Sequence, residues 1–113
     1  MSITYSSFFP PAQLGTSAAT LFTAPTSPTS TLLRGGRIRF TNTTAGPVTV
    51  TAYAVPLAGT ASASNAFVSG KTIAANDFLD VDVPIIGPGG FVQALASAAT
   101  SITAHMISGS YFS

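Results

Sequence analysis

Arg37-Ile38-Arg39-Phe40-Thr41-Asn42-Thr43-Thr44-Ala45-Gly46-Pro47-Val48-Thr49-Val50-Thr51-Ala52-Tyr53-Ala54-Val55-Pro56 is the stretch on which the fold turns. Successive side chains of a β-strand point to opposite faces, so a strand packed on one side alternates apolar and polar residues. Ile38 and Phe40 fall on one face, while Arg37, Arg39 and Thr41 fall on the other. That is a half-buried strand. Thr43 to Gly46 make a turn, after which Val48, Val50, Ala52 and Ala54 alternate with Thr49, Thr51 and Tyr53. Pro56 has no backbone N–H to donate and ends the run. Two such strands joined by a short turn read as a hairpin.

Working outward toward the C-terminus, Leu57 to Asn65 is a small, polar loop and Ala66 to Ile73 a short strand, followed by a turn over Ala74 to Asp77. Phe78, Asp80 and Asp82 then alternate with Leu79, Val81 and Val83, and Pro84 stops the pattern. This is the cleanest amphipathic strand in the chain. Gly87-Pro88-Gly89-Gly90 signals a turn, followed by a strand over Phe91 to Ala96 and a last one from about Ser101 to Phe112. The Ala-rich stretch Val92 to Thr100 also suits a helix by composition, and strand is the preferred reading. About seven short strands, punctuated by Gly and Pro and without a helical period, predict an all-β protein: an antiparallel β-sandwich or jelly roll.

Working toward the N-terminus, Ser2 to Ser30 is rich in Ser, Thr, Ala and Pro, with Pro10, Pro11, Pro25 and Pro28 where neither a helix nor a central strand would continue. The expected organisation is an extended N-terminal arm over residues 1–30 and a sandwich domain over residues 31–113. Tyr5, Phe8, Phe9 and Phe22 set the arm apart from a flexible linker, because side chains of that size need a surface to bury against. The start lacks the basic and apolar regions of a signal peptide, and no apolar run approaches membrane-spanning length.

Among 113 residues, hydrophobic types make up 46% and charged types only 6%. Arg34, Arg37, Arg39 and Lys71 stand against Asp77, Asp80 and Asp82, for a net charge of +1. That balance excludes the basic footprint of a nucleic-acid-binding protein. With no Cys there is no thiolate metal site, disulfide or Cys nucleophile, and one His, one Lys and three Asp leave few ways to assemble catalytic machinery. An enzyme is disfavoured, and no cofactor is expected. A small sandwich has a modest core, and a surface nearly free of charge does little to keep copies apart. Permanent assembly is the leading functional expectation.

Phe22-Thr23-Ala24-Pro25, Arg37 to Thr44, Pro47 to Pro56 and the small-residue loop around Gly59-Thr60-Ala61 together resemble a group of small tailed-phage virion proteins. Their shared features are a Thr-Ala-Pro segment, a strand ending in a Thr-Asn-Thr-like turn, and a Val/Thr strand ending in Tyr-x-Val-Pro. An acidic strand and a Gly-rich turn before an Ala/Ser strand follow, here Ile73 to Pro84 and Gly87 to Thr100. The likeness spans roughly Leu21 to Ser108 and leaves the first twenty residues unmatched. It implies a bacteriophage structural component on the head or the tail of the particle. The role expected is capsid decoration or stabilisation, or alternatively a tail, collar or fibre component that binds a receptor or glycan. The partners expected are further copies of the chain, as a homo-oligomer with a trimer favoured, and the major capsid protein or a tail protein. The location expected is the virion, assembled in the host bacterial cytoplasm.

The candidate interface residues are Tyr5, Phe8, Phe9 and Phe22 on the arm, with Arg37, Arg39, Asp80 and Asp82 on the domain. Arg37 and Arg39 share one strand face and Asp80 and Asp82 another, which predicts a charge ladder across strands or subunits. The Gly pair beside Arg34 and Arg37 could cradle an anion, a weaker reading than pairing. Asp80 and Asp82 lie about 7 Å apart by strand geometry, with no loop to wrap a cation, so no metal site is expected. His105, on the strand face of Thr103 and Ile107, lacks a recognisable nucleophile and orienting acid and reads as a strand residue. Asn42-Thr43-Thr44 matches a glycosylation acceptor but reads as a turn.

Overall fold

A computed structural model describes residues 3–4, 12–24 and 32–112. The chain is all-β, with nine strands and one short 3-10 turn among the described residues. The strands are β1 (Ile3–Thr4), β2 (Ala12–Gln13), β3 (Ala19–Thr23), β4 (Leu32–Asn42), β5 (Val48–Val55), β6 (Ala66–Ile73), β7 (Phe78–Asp82), β8 (Phe91–Ala96) and β9 (Ile102–Phe112). Every pairing is antiparallel. One sheet runs β9-β4-β7, with β1 and β2 both pairing along the free side of β9, and the other runs β3-β8-β5-β6.

The connections after β2, β3, β4, β6, β7 and β8 each pass from one sheet to the other, whereas β5 and β6 are joined within one sheet. With β1 and β2 taken as one interrupted strand, this is the order of an eight-stranded jelly roll. The hairpin expected of β4 and β5 does not form: β4 pairs with β7 and β9, and β5 with β6 and β8. Each strand carries one apolar row, and residues 43–47 arch across the sandwich so that the two rows face each other instead of lying side by side. Alternation fixes which face of a strand is buried, but it leaves the choice of neighbour open.

The core lies between the sheets. Ile38 and Phe40 from β4 and Ile102 and Ala104 from β9 meet Val50, Ala52, Val92 and Ala94 from β5 and β8, all fully buried. Small residues opposite large ones let two inner faces interdigitate at the usual separation of about 10 Å. Removing the ring of Phe40 from such a site costs about 3–5 kcal/mol. Inward rows alternate strictly along β8, where Val92, Ala94 and Ala96 are buried and Phe91, Gln93 and Leu95 half-buried. That period of two settles this Ala-rich stretch as strand up to Ala96, followed by a turn. At the β7–β8 connection Gly89 has φ of 75°, and a Cβ on Gly90 would come within 2.8 Å of the Ile86 side chain. Only glycine fits both demands.

The N-terminal thirty residues are not all separate from the sandwich. Ala12–Gln13 pair with Ala104 and Thr103, and Ala19–Thr23 pair with β8, with Leu14 and Phe22 in the core. The arm's remaining aromatic residues, Tyr5, Phe8 and Phe9, lie outside the described residues.

Candidate interaction surface

The polar row of β4 projects from the outer face of the first sheet. Register with β7 sets Arg37 opposite Asp82 and Arg39 opposite Asp80, so the two-residue spacing on both strands brings the charges together in pairs. Nε of Arg39 donates to Oδ1 of Asp80 at 2.7 Å and its terminal nitrogen to Oδ2 at 2.9 Å, a bidentate fork. The Arg37 Nε lies 3.2 Å from the Asp82 Oδ1, with both side chains well exposed. Hydrogen bonds from Arg39 hold the Asp80 carboxyl below its ordinary value, against a smaller opposing effect of desolvation; the same bonds raise Arg39. The Arg39 guanidinium also sits 4.3 Å from the centre of the Phe78 ring, within cation–π range. On the other flank of β4, His105 of β9 lies opposite Arg39.

The expected ladder therefore exists within one chain. Phe22 behaves differently from the role given to it in the sequence: at 5% exposure it fills its own core and is closed to any neighbour. Asp77 stands apart from the ladder, its Oδ1 accepting the Phe78 N–H at 2.8 Å. Arg34 takes the register position opposite Ser110. Gly36 is not available as an anion cradle, being buried with its carbonyl accepting the Val83 N–H at 2.8 Å. Among the described residues, no three His or Asp side chains gather where they could hold a metal ion.

Asn42 is the residue whose importance the motif match obscured. It is fully buried, and its amide joins two arches. Nδ2 donates to the carbonyls of Gly46 at 2.8 Å, Ile73 at 3.0 Å and Ala74 at 3.2 Å. Oδ1 accepts from the backbone N–H of Thr44 at 2.9 Å and from its hydroxyl at 2.7 Å. The Asn42 N–H donates to the Asp77 carbonyl and the Thr43 N–H to the Ser101 carbonyl, so three sheet-crossing turns meet here. An amide held this way is a joint, with no exposed nitrogen to accept a glycan. The signal was present in the alternation: Ile38, Phe40 and Asn42 share a parity, which places Asn42 inward.

Apolar recesses open on the surface at two places among the described residues. One, of about 350 Å³, runs along the open side of the sandwich between β6 and β7 and is lined by Phe67, Val68, Ser69, Lys71, Leu79 and Val81. The other, of about 210 Å³, lies at the end of the sandwich opposite Asn42, among Ala54 to Pro56 and Pro84 to Gly87. Leu57 and Ile85, 65% and 67% exposed, stand at that same end.

No family model matches the chain. No curated protein matches it either. Among solved structures, a chain in the structure of infectious bursal disease virus, Gx strain, is similar over 97% of this chain at 18% identity with a TM-score of 0.49. This chain spans about a third of that one, 32% of its length.

Proposed function

We propose that the chain is a non-enzymatic structural protein of a tailed-phage virion, which decorates or stabilises the particle by packing against neighbours. The observation that carries it is a jelly roll whose few charges cancel locally. Four of the chain's charged side chains are consumed in the Arg37–Asp82 and Arg39–Asp80 pairs, leaving a hydroxyl-rich, near-neutral exterior with exposed Phe78, Leu57, Ile85 and Ile107. Such a surface suits lasting contact better than a free existence. Jelly rolls recur in viral capsid domains, and also in lectins and cupins, so the fold alone is an analogy. The tailed-phage assignment rests on the sequence resemblance.

Catalysis has less support. His105 faces a cation, Arg39, where a general base would need an orienting carboxylate or carbonyl. Docking on the particle would fall to Tyr5, Phe8 and Phe9, since Phe22 is in the core. The experiment is quantitative mass spectrometry of purified virions of the phage that encodes the chain, scaled to the major capsid protein. A count comparable to the capsid protein supports head decoration. A count of a few to a few dozen moves the chain to the tail, collar or fibres, and absence from the particle overturns the proposal.

A further inference from the structure

The sandwich has four sheet edges, and they are unequally protected. On one long side the outermost strands are β1 and β2, of two residues each among the described residues, and β3, whose register shifts between Thr20 and Phe22. On the other side, β6 is interrupted: Val50 pairs with Lys71 but Ala52 with Val68, and Gly70 between them has φ of 59°. Short strands and bulges are the ordinary ways of blunting an edge. β7 has neither. Its five residues pair with β4 in unbroken register, and among the described residues nothing pairs with its other side. Its inward row, Leu79 and Val81, is only half-buried and forms one wall of the 350 Å³ groove.

The geometry points to β7 as the edge by which two copies of this chain associate, strand to strand about a two-fold axis. A strand that pairs with its own copy about a two-fold is antiparallel, and residues directly opposite lie on the same face, so the axis passes midway between one residue and its own copy. Centring on Asp80 sets two carboxylates directly opposite each other. Centring on Val81 sets Asp80 opposite Asp82, again like charges, and such pairs are destabilising. Centring on Leu79 avoids both. Leu79 then meets Leu79 of the second copy, Phe78 meets Asp80, and Asp77 meets Val81.

That register also answers the charges left over. Among the described residues, Lys71 and Asp77 carry no ion pair, while the other two Asp side chains are each held by an Arg. Lys71 lines the same groove as Val81, and the Leu79-centred register brings the second copy's Asp77 opposite Val81. The unpaired cation of one copy thus lies beside the unpaired carboxylate of the other, twice by symmetry, at the rim of an apolar strip. Charge complementarity identifies the occupant as a second copy.

The inference extends the assembly role proposed above, but it concerns the isolated chain, so its failure is distinguishable from absence of the chain from virions. The test is sedimentation velocity of the full chain across a micromolar concentration series. The expected species is a dimer. Lys71→Asp and Asp77→Lys should each raise the dissociation constant about tenfold or more, since a single reversal places like charges at two symmetric contacts. The combined swap should restore wild-type affinity. Both side chains are exposed, and Asp77→Asn keeps the oxygen that accepts the Phe78 N–H while removing the charge, so a loss of association there cannot be ascribed to a lost turn. A monomer or trimer throughout, a dimer indifferent to the single reversals, or a double swap weaker than either single overturns the proposal.

Discussion

Asn42 and Asp80 each accept two short hydrogen bonds and each sits on a strand of the first sheet, yet they do different work. Asn42 is fully buried at the place where three turns cross between sheets, and every polar atom of its amide has a partner. Asp80 lies on the outer face, bound to Arg39 in better geometry than most ion pairs but within reach of water. The contrast teaches where polar groups decide a fold. Hydrogen bonds at the surface replace equivalent bonds to water, whereas a buried partner that is removed strands its neighbours with nothing to replace it.

The largest effect should therefore come from Asn42→Ala. The Thr44 N–H loses its acceptor and the carbonyls of Gly46, Ile73 and Ala74 lose the amide at once, with Gly46 keeping the Thr44 hydroxyl and Ala74 the Asp77 N–H, and the expected loss is about 3 kcal/mol in denaturant unfolding. A loss no larger than that of an exposed substitution would break the contrast. A smaller, pH-dependent effect is expected of Asp80→Asn. Because the Asp80 carboxyl is held below its ordinary value of 3.8, its contribution is present above that value and fades as pH falls through the folded-state value. The stability gap between wild type and Asp80→Asn should be smaller than the Asn42→Ala loss at neutral pH and close in acid. A gap that stays constant from neutral pH down through the carboxylate range would show that the ion pair is not its source.

Much of this architecture was legible in the sequence because a period of two is a strong signal when one face is buried. β5, β6, β7 and β8 fall within a residue of their expected ends, and the ladder between Arg37, Arg39, Asp80 and Asp82 follows from equal spacing on two strands. What alternation does not encode is partnership. Residues 43–47 could have closed a hairpin, and nothing in their composition distinguishes that from an arch; the difference lies in which sheet offers each strand a complementary inner row. β3 was hidden by its length, since five residues flanked by Ser, Thr and Pro give too few alternations to read. Asn42 was hidden by a motif that explained it too readily, although its parity with Phe40 pointed inward.

The structural joint of the sandwich is Asn42, and amide hydrogen exchange at Thr44 reads it out. The Thr44 N–H sits in a turn, and its acceptor is the Asn42 side chain. If the joint holds as described, this turn amide exchanges as slowly as the amides of β4 and β5 in the wild-type chain, and at the rate of an open loop in Asn42→Ala. Fast exchange in the wild type would rule out this role for Asn42, because a turn that opens freely cannot be what fastens the two sheets together.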